Sequence, residues 1–120
     1  MPNRSTTDQP PVYQVKAELF RMLGHPARVR ILELLRDGER TVGDLQQALG
    51  LDSSGTSQHL SALRRRDVVE SRREGTNVYY RIKDPHTTEL LEIARKIITT
   101  SIKGSQSLLA QLADPEAPRD

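Results

Sequence analysis

Side chains able to bind a polyanion crowd into one stretch of this chain, from Ser53 to Lys83. Ser54, Gly55, Thr56, Ser57, Gln58, His59 and Ser61 bring hydroxyls, an amide and an imidazole, and Arg64, Arg65 and Arg66 follow at once. On a helix the polar members share one side, while Thr56, Leu60 and Leu63 recur at the spacing of a buried stripe. Short hydroxyls and amides let a helix sink into a major groove about 12 Å wide and hydrogen-bond base edges or phosphates. Gly55 removes a side chain at the helix start, where amides and dipole favour a phosphate. The arginines suit phosphate contacts that fix register without reading sequence. A second cluster, Arg72-Arg73-Glu74-Gly75-Thr76-Asn77, has the composition of a hairpin tip. Its Arg72, Arg73, Thr76 and Asn77 are expected to reach an adjacent backbone or minor groove.

The charge distribution singles out the same region. The net charge of the 120 residues is only +2, yet residues 55–83 hold seven bases against three acids, a local surplus of four. Concentrated basicity of this kind is the electrostatic footprint of a polyanion-binding face. Other chemistry is excluded by what is missing. The chain has no cysteine, so it holds no disulfide, thiolate metal site, cysteine nucleophile or thiol sensor. No phosphate-cradling glycine loop, Ser-His-acid arrangement or convergent carboxylate pair is present, so the reading is not that of an enzyme, and no cofactor is expected. No apolar run approaches the roughly 20 residues of a membrane span. The polar start has no signal-peptide core, so the expected location is cytoplasmic, with no membrane partner.

The elements that must position these residues read as mostly helical. Residues 1–11 and 113–120 are expected to be disordered tails around one domain at 12–112. Val12, Val15, Leu19 and Met22/Leu23 mark a first helix stopped by Gly24. Pro26 starts a second, with Ala27, Ile31 and Leu34/Leu35 inward, ending at Asp37-Gly38. Thr41 is placed to cap a third, which Gly50 ends, with Val42, Leu45 and Ala48/Leu49 inward; Ser53 or Ser54 caps the fourth, running to about Arg66. Val68–Arg73 and Asn77–Ile82 then switch to strand period around Glu74-Gly75-Thr76. A last helix is expected to run unbroken from Asp84-Pro85 to about Leu112, roughly 40 Å. The order is that of a winged helix-turn-helix: mainly α with a small β-hairpin wing.

Four segments also resemble the ArsR/SmtB family of bacterial repressors. They are Leu23-Gly24-His25-Pro26-Ala27-Arg28-Val29-Arg30-Ile31-Leu32-Glu33-Leu34-Leu35, Thr41-Val42-Gly43-Asp44-Leu45, Thr56-Ser57-Gln58-His59-Leu60 and Gly75-Thr76-Asn77-Val78-Tyr79-Tyr80. The likeness covers residues 13 to about 100. It implies a homodimer that occupies an operator in double-stranded DNA and leaves when a signal arrives. The departures lie at the metal sites. Thiolate-type sensors of the family carry cysteine near Arg40-Thr41-Val42-Gly43, where this chain has none. The other family site pairs an Asp-x-His with a His-x-x-Glu. Here Asp84 and His86 remain, but the second pair falls on Ile97 and Thr100. No metal is therefore expected, Asp84 and His86 being the residual candidates for a nonstandard site, and the inducer is left unnamed.

Self-association is expected on separate grounds. The stripes of the first and last helices, Val15 and Leu19 with Leu91, Ala94, Ile98, Ile102 and Leu108, exceed what the central helices and hairpin can cover. Pairing through those helices sets the two recognition helices about 34–36 Å apart, with Ser101, Gly104 and Ser105 allowing close approach or a bend. Two rival functions keep the fold: a zinc or nickel sensor using Asp84 and His86, and a winged module that docks a protein partner.

Overall fold

A computed structural model describes residues 9–102 and 106–113, without the side chains of residues 106–109. The expectations for residues 1–8 and 114–120 of the outer tails, for Gly104 and Ser105, and for the Leu108 side chain lie outside these described residues; Ala113, expected in a tail, is the last residue of a helix. The elements are α1 (Val12–Leu23), α2 (Pro26–Leu35), β1 (Arg40–Thr41), α3 (Val42–Leu49), α4 (Ser53–Arg65), β2 (Val69–Glu74), β3 (Asn77–Ile82), α5 (His86–Ser101) and α6 (Gln106–Ala113). They form two compact units that divide between Asp84 and Pro85.

Local chemistry sets most helix ends of the first unit. His25 stands at the N-cap of α2, its Nδ1 accepting from the Ala27 amide at 3.2 Å, with Pro26 behind it at the first helical position. Thr41 Oγ1 accepts from the Asp44 amide at 3.0 Å and opens α3, which Gly50 closes at φ +69. The cap of α4 differs from expectation. It is Asp52, whose Oδ1 accepts from the Gly55 amide at 2.7 Å, rather than Ser53 or Ser54. A carboxylate is the stronger acceptor there, and its charge complements the helix N-terminus.

The hairpin closes through Gly75-Thr76, with Gly75 at φ +64 at the first turn position, where a type II′ turn calls for glycine. A strand unforeseen in the sequence joins it. Arg40 and Thr41 pair with Tyr80 and Tyr79, giving an antiparallel sheet of order β1-β3-β2. Two residues carry no readable period, so β1 has no sequence signature of its own. Ile31, Leu32, Leu35, Leu45, Leu60, Leu63 and Val69 are almost fully buried and make the core that fixes α4 against α2, α3 and the sheet.

The second unit corrects the expected long helix. Helix α5 ends at Ser101, about 24 Å from its start at 1.5 Å per residue, and α6 is a separate helix. Arg95 donates from Nε to the Leu112 carbonyl at 3.0 Å, and from Nη2 to the same oxygen, tying the end of α6 to α5. The break follows Ile97-Ile98-Thr99-Thr100-Ser101. In that run the Thr99, Thr100 and Ser101 hydroxyls each bond back to a carbonyl four residues earlier. Branched and hydroxyl-bearing side chains are weak helix propagators.

Candidate nucleic-acid interface

Helix α4 is held from beneath by Thr56, Leu60, Ala62 and Leu63, all buried, and the opposite side stays in solvent. Ser54, Ser57, Gln58 and Arg65 are exposed there and Ser61 is half-exposed. Together with Arg28 of α2 they line an open groove of about 580 Å³. Hydroxyls, an amide and guanidinium groups facing one groove can donate to phosphate oxygens and both donate to and accept from base edges.

Two residues of the expected set do something else. Thr56 is fully buried, and its hydroxyl donates to the Asp52 carbonyl at 2.9 Å, so it belongs to the core stripe rather than the contact surface. The Gly55 amide is committed to the Asp52 carboxylate, whose negative charge disfavours a phosphate at that helix end. The lack of a side chain at Gly55 serves the cap itself, because a Cβ there would lie 3.1 Å from Asp52 Oδ1.

His59 is half-buried beside α2. Its Nδ1 accepts from Arg28 Nε at 3.1 Å, and its ring lies 4.3 Å from that of His25, tilted by 52°. Burial pushes its pKa below the usual histidine value, with the charges of His25 and Arg28 acting in the same direction. A neutral imidazole is also what the hydrogen bond demands, since a protonated Nδ1 cannot accept.

The basic block sorts into compensated and free cations. Arg72 donates to Glu74 at 2.6 Å and to both carboxylate oxygens of Glu39, and its guanidinium lies 4.4 Å over the Tyr79 ring. These carboxylates hold its pKa above the usual arginine value, and Arg72 in turn lowers that of Glu39. Arg64, in the last turn of α4, donates to Ser71 Oγ at 3.3 Å. Arg65 and Arg73 are exposed and, among the described residues, pair with no carboxylate. Thr76 and Asn77 are exposed at the hairpin tip. Arg28, Glu39 and Glu18 were not foreseen as parts of this surface, because only helix packing and strand pairing bring them to it.

The remaining expectations concern metal and self-association. Among the described residues no group of three or more His, Cys, Asp or Glu is placed to hold a metal ion. His86 opens α5, Asp84 precedes Pro85, and both are exposed. In α1 Val15 is exposed and Leu19 half-buried, and Val12, Tyr13 and Phe20 are exposed apolar side chains as well. In α5 Leu91 and Ala94 are half-buried, Ile98 is exposed together with Ile93 and Ile97, and Ile102 is half-buried just past the helix end. No described helix is long and apolar enough to cross a membrane.

Comparison with known proteins gives consistent matches. Residues 25–71 match the family described as bacterial regulatory protein, arsR family. An uncharacterised HTH-type transcriptional regulator of Mycobacterium tuberculosis is 46% identical over 103 residues, 85% of this chain and 90% of that protein. Its crystal structure is similar with a TM-score of 0.74, covering 80% of this chain and 97% of the other. A biofilm growth-associated repressor of Xylella fastidiosa is 33% identical over 72% of this chain and 76% of its own length. A solution structure of a homodimeric winged helix-turn-helix DNA-binding domain from Mycobacterium bovis, described as a possible ArsR-family regulator, is 28% identical. Its TM-score is 0.69, and the match covers 88% of this chain and 94% of that one.

Proposed function

This chain belongs to the ArsR family of bacterial regulatory proteins, and from that premise we propose that two copies bind an operator in duplex DNA and repress transcription. Helix α4 reads the major groove through Ser54, Ser57, Gln58 and Ser61. Arg65, Arg64 and Arg73 hold the backbone, and Thr76 and Asn77 lie against it from the hairpin tip. The observation that carries this reading is the exposed polar side of α4, which shares one groove with two arginines that pair with no carboxylate among the described residues. A buried face anchors the helix while its outer face offers hydrogen bonds and positive charge, as groove entry requires.

The dimer is supported by the exposed apolar side chains of α1 and α5, which a second copy would cover. Two-fold pairing then sets the recognition helices to fit half-sites about one helical turn apart. Without cysteine in the chain, the releasing signal is neither thiol oxidation nor a thiolate-held metal. A small molecule, a partner protein or abundance alone fits the residues present.

Selection of bound fragments from the source genome, followed by anisotropy titration at rising salt, tests the proposal. Enrichment of an inverted repeat, with affinity falling steeply as salt rises, is the expected result. Failure to bind any fragment at any salt concentration would overturn the reading in favour of a protein-docking module.

A further inference from the structure

We infer that Arg28, on α2, is a DNA-backbone phosphate contact that works with Arg65 across the groove beside α4. The inference rests on the DNA-binding reading above and adds a residue outside both the recognition helix and the hairpin.

The first support is how Arg28 is held. Its Nη1 donates to the Met22 carbonyl at 3.0 Å and its Nε to His59 Nδ1 at 3.1 Å. Both acceptors are uncharged, and among the described residues no carboxylate pairs with Arg28. The half-buried guanidinium is thus fixed in place with its charge uncompensated. Arg30, Arg66, Arg72 and Arg81 are the reverse, each with a carboxylate partner. A cation that brings no counterion and whose rotamer is set on folding loses little further freedom when it meets an anion.

The second support is placement. Arg28 lines the same groove as Ser54, Ser57, Gln58, Ser61 and Arg65. A backbone phosphate flanking the path of α4 would sit between two cations there, with serine hydroxyls as further donors.

The third is the geometry of the donors left over. With Nε and one Nη1 hydrogen engaged, the free hydrogens are the second one on Nη1 and the two on Nη2. One Nη2 hydrogen points from the end of the guanidinium and the other lies on the side edge beside Nε; the three together are enough for two oxygens of one phosphate. The side edge that joins Nε to Nη2 is partly occupied by His59. Arg28 therefore fixes the depth and register of α4 rather than reading a base.

The test uses the full chain and a mixed-sequence duplex of about three helical turns, titrated over a range of salt. Arg28→Gln, shown to be folded by its melting transition, is expected to weaken binding and lower the salt slope by about one. The loss should be equal on the mixed duplex and on any selected operator. Arg28→Lys keeps the charge and is expected to keep the slope. An unchanged slope in folded Arg28→Gln, or a changed sequence preference at constant slope, would overturn the inference while leaving DNA binding intact.

Wild-type protein supplies an arm that no folding defect can obscure. Saturating duplex is expected to protect both Arg28 and Arg65 from phenylglyoxal, read by mass spectrometry, while Arg21 stays reactive. Protection of Arg65 alone overturns the inference, as does protection of Arg28 by inorganic phosphate but not by duplex. If wild type binds no duplex, the DNA reading fails with it.

Discussion

At the scale of single residues, the question is which of seven cations between residues 55 and 83 are available to DNA. Arg66 pairs with Glu18, Arg72 with Glu39 and Glu74, Arg81 with Glu70 and Lys83 with Asp67. Composition reveals the surplus but not its allocation, because Glu18 and Glu39 lie 48 and 33 residues from their partners. Two arginines side by side in the sequence are accordingly predicted to behave differently. Arg73→Ala should weaken binding to every duplex and lower the salt slope by about one, whereas Arg72→Ala should change the slope little. Anisotropy titration of both variants checks this; equal slopes for the two would show that the carboxylates release Arg72 on binding. His59 gives a pH prediction of definite sign. Its pKa is lower in the fold than in the unfolded chain, so the unfolded chain takes up the proton first. The stability that depends on neutral His59 is therefore complete above the ordinary histidine range, near pH 6.5, and is lost as pH falls from there towards the lowered value. Melting temperatures between pH 7.5 and 5 should fall less steeply in His59→Asn than in wild type; parallel curves would remove His59 from that dependence.

At the scale of elements, legibility follows the range of the interactions that set each boundary. Thr41, Gly50 and Pro26 mark helix ends through bonds spanning a few residues, and the sequence displays them directly. Asp52, Ser53 and Ser54 are three good capping residues in a row, so only coordinates decide among them. Apolar spacing continues through Ile97-Ile98-Thr99-Thr100-Ser101 while helix propensity falls there, so the spacing predicts one long helix where α5 ends at Ser101. The cap at Asp52 matters because it sets the start of the helix that carries Ser54 and Ser57. Asp52→Ala is expected to cost about 1 kcal/mol, seen as a drop of a few degrees in the melting temperature, with Asp52→Asn retaining most of the stability. Ser53→Ala, at the first helical position, should cost much less. A larger loss from Ser53→Ala than from Asp52→Ala would move the cap to the serine.

At the scale of the molecule, a helix that reads one groove is a weak and indifferent binder until a second copy doubles the contacts and fixes their spacing. In the proposed dimer, the exposed apolar side chains of α1 and α5 are the surface that a second copy would cover. In α5, Ile93 and Ile97 lie one turn apart and are 52% and 63% exposed, with Ile98 beside them at 42%. Isoleucines this exposed leave much of their apolar surface in water in the single subunit, and burial against an equivalent surface stabilises by roughly 25 cal/mol per Å² of apolar area. Ile97→Glu places a charge in each half of such an interface while leaving the core of Ile31, Leu45 and Leu63 untouched. Sedimentation should then show a single subunit at concentrations where wild type is paired. Operator affinity should fall at least tenfold, while the remaining single-site binding keeps the salt dependence set by Arg65 and Arg73. A variant that stays paired and binds its operator normally would take α5 out of the interface and leave the exposed side chains of α1, Tyr13 and Phe20 among them, as the surface on which the two copies meet.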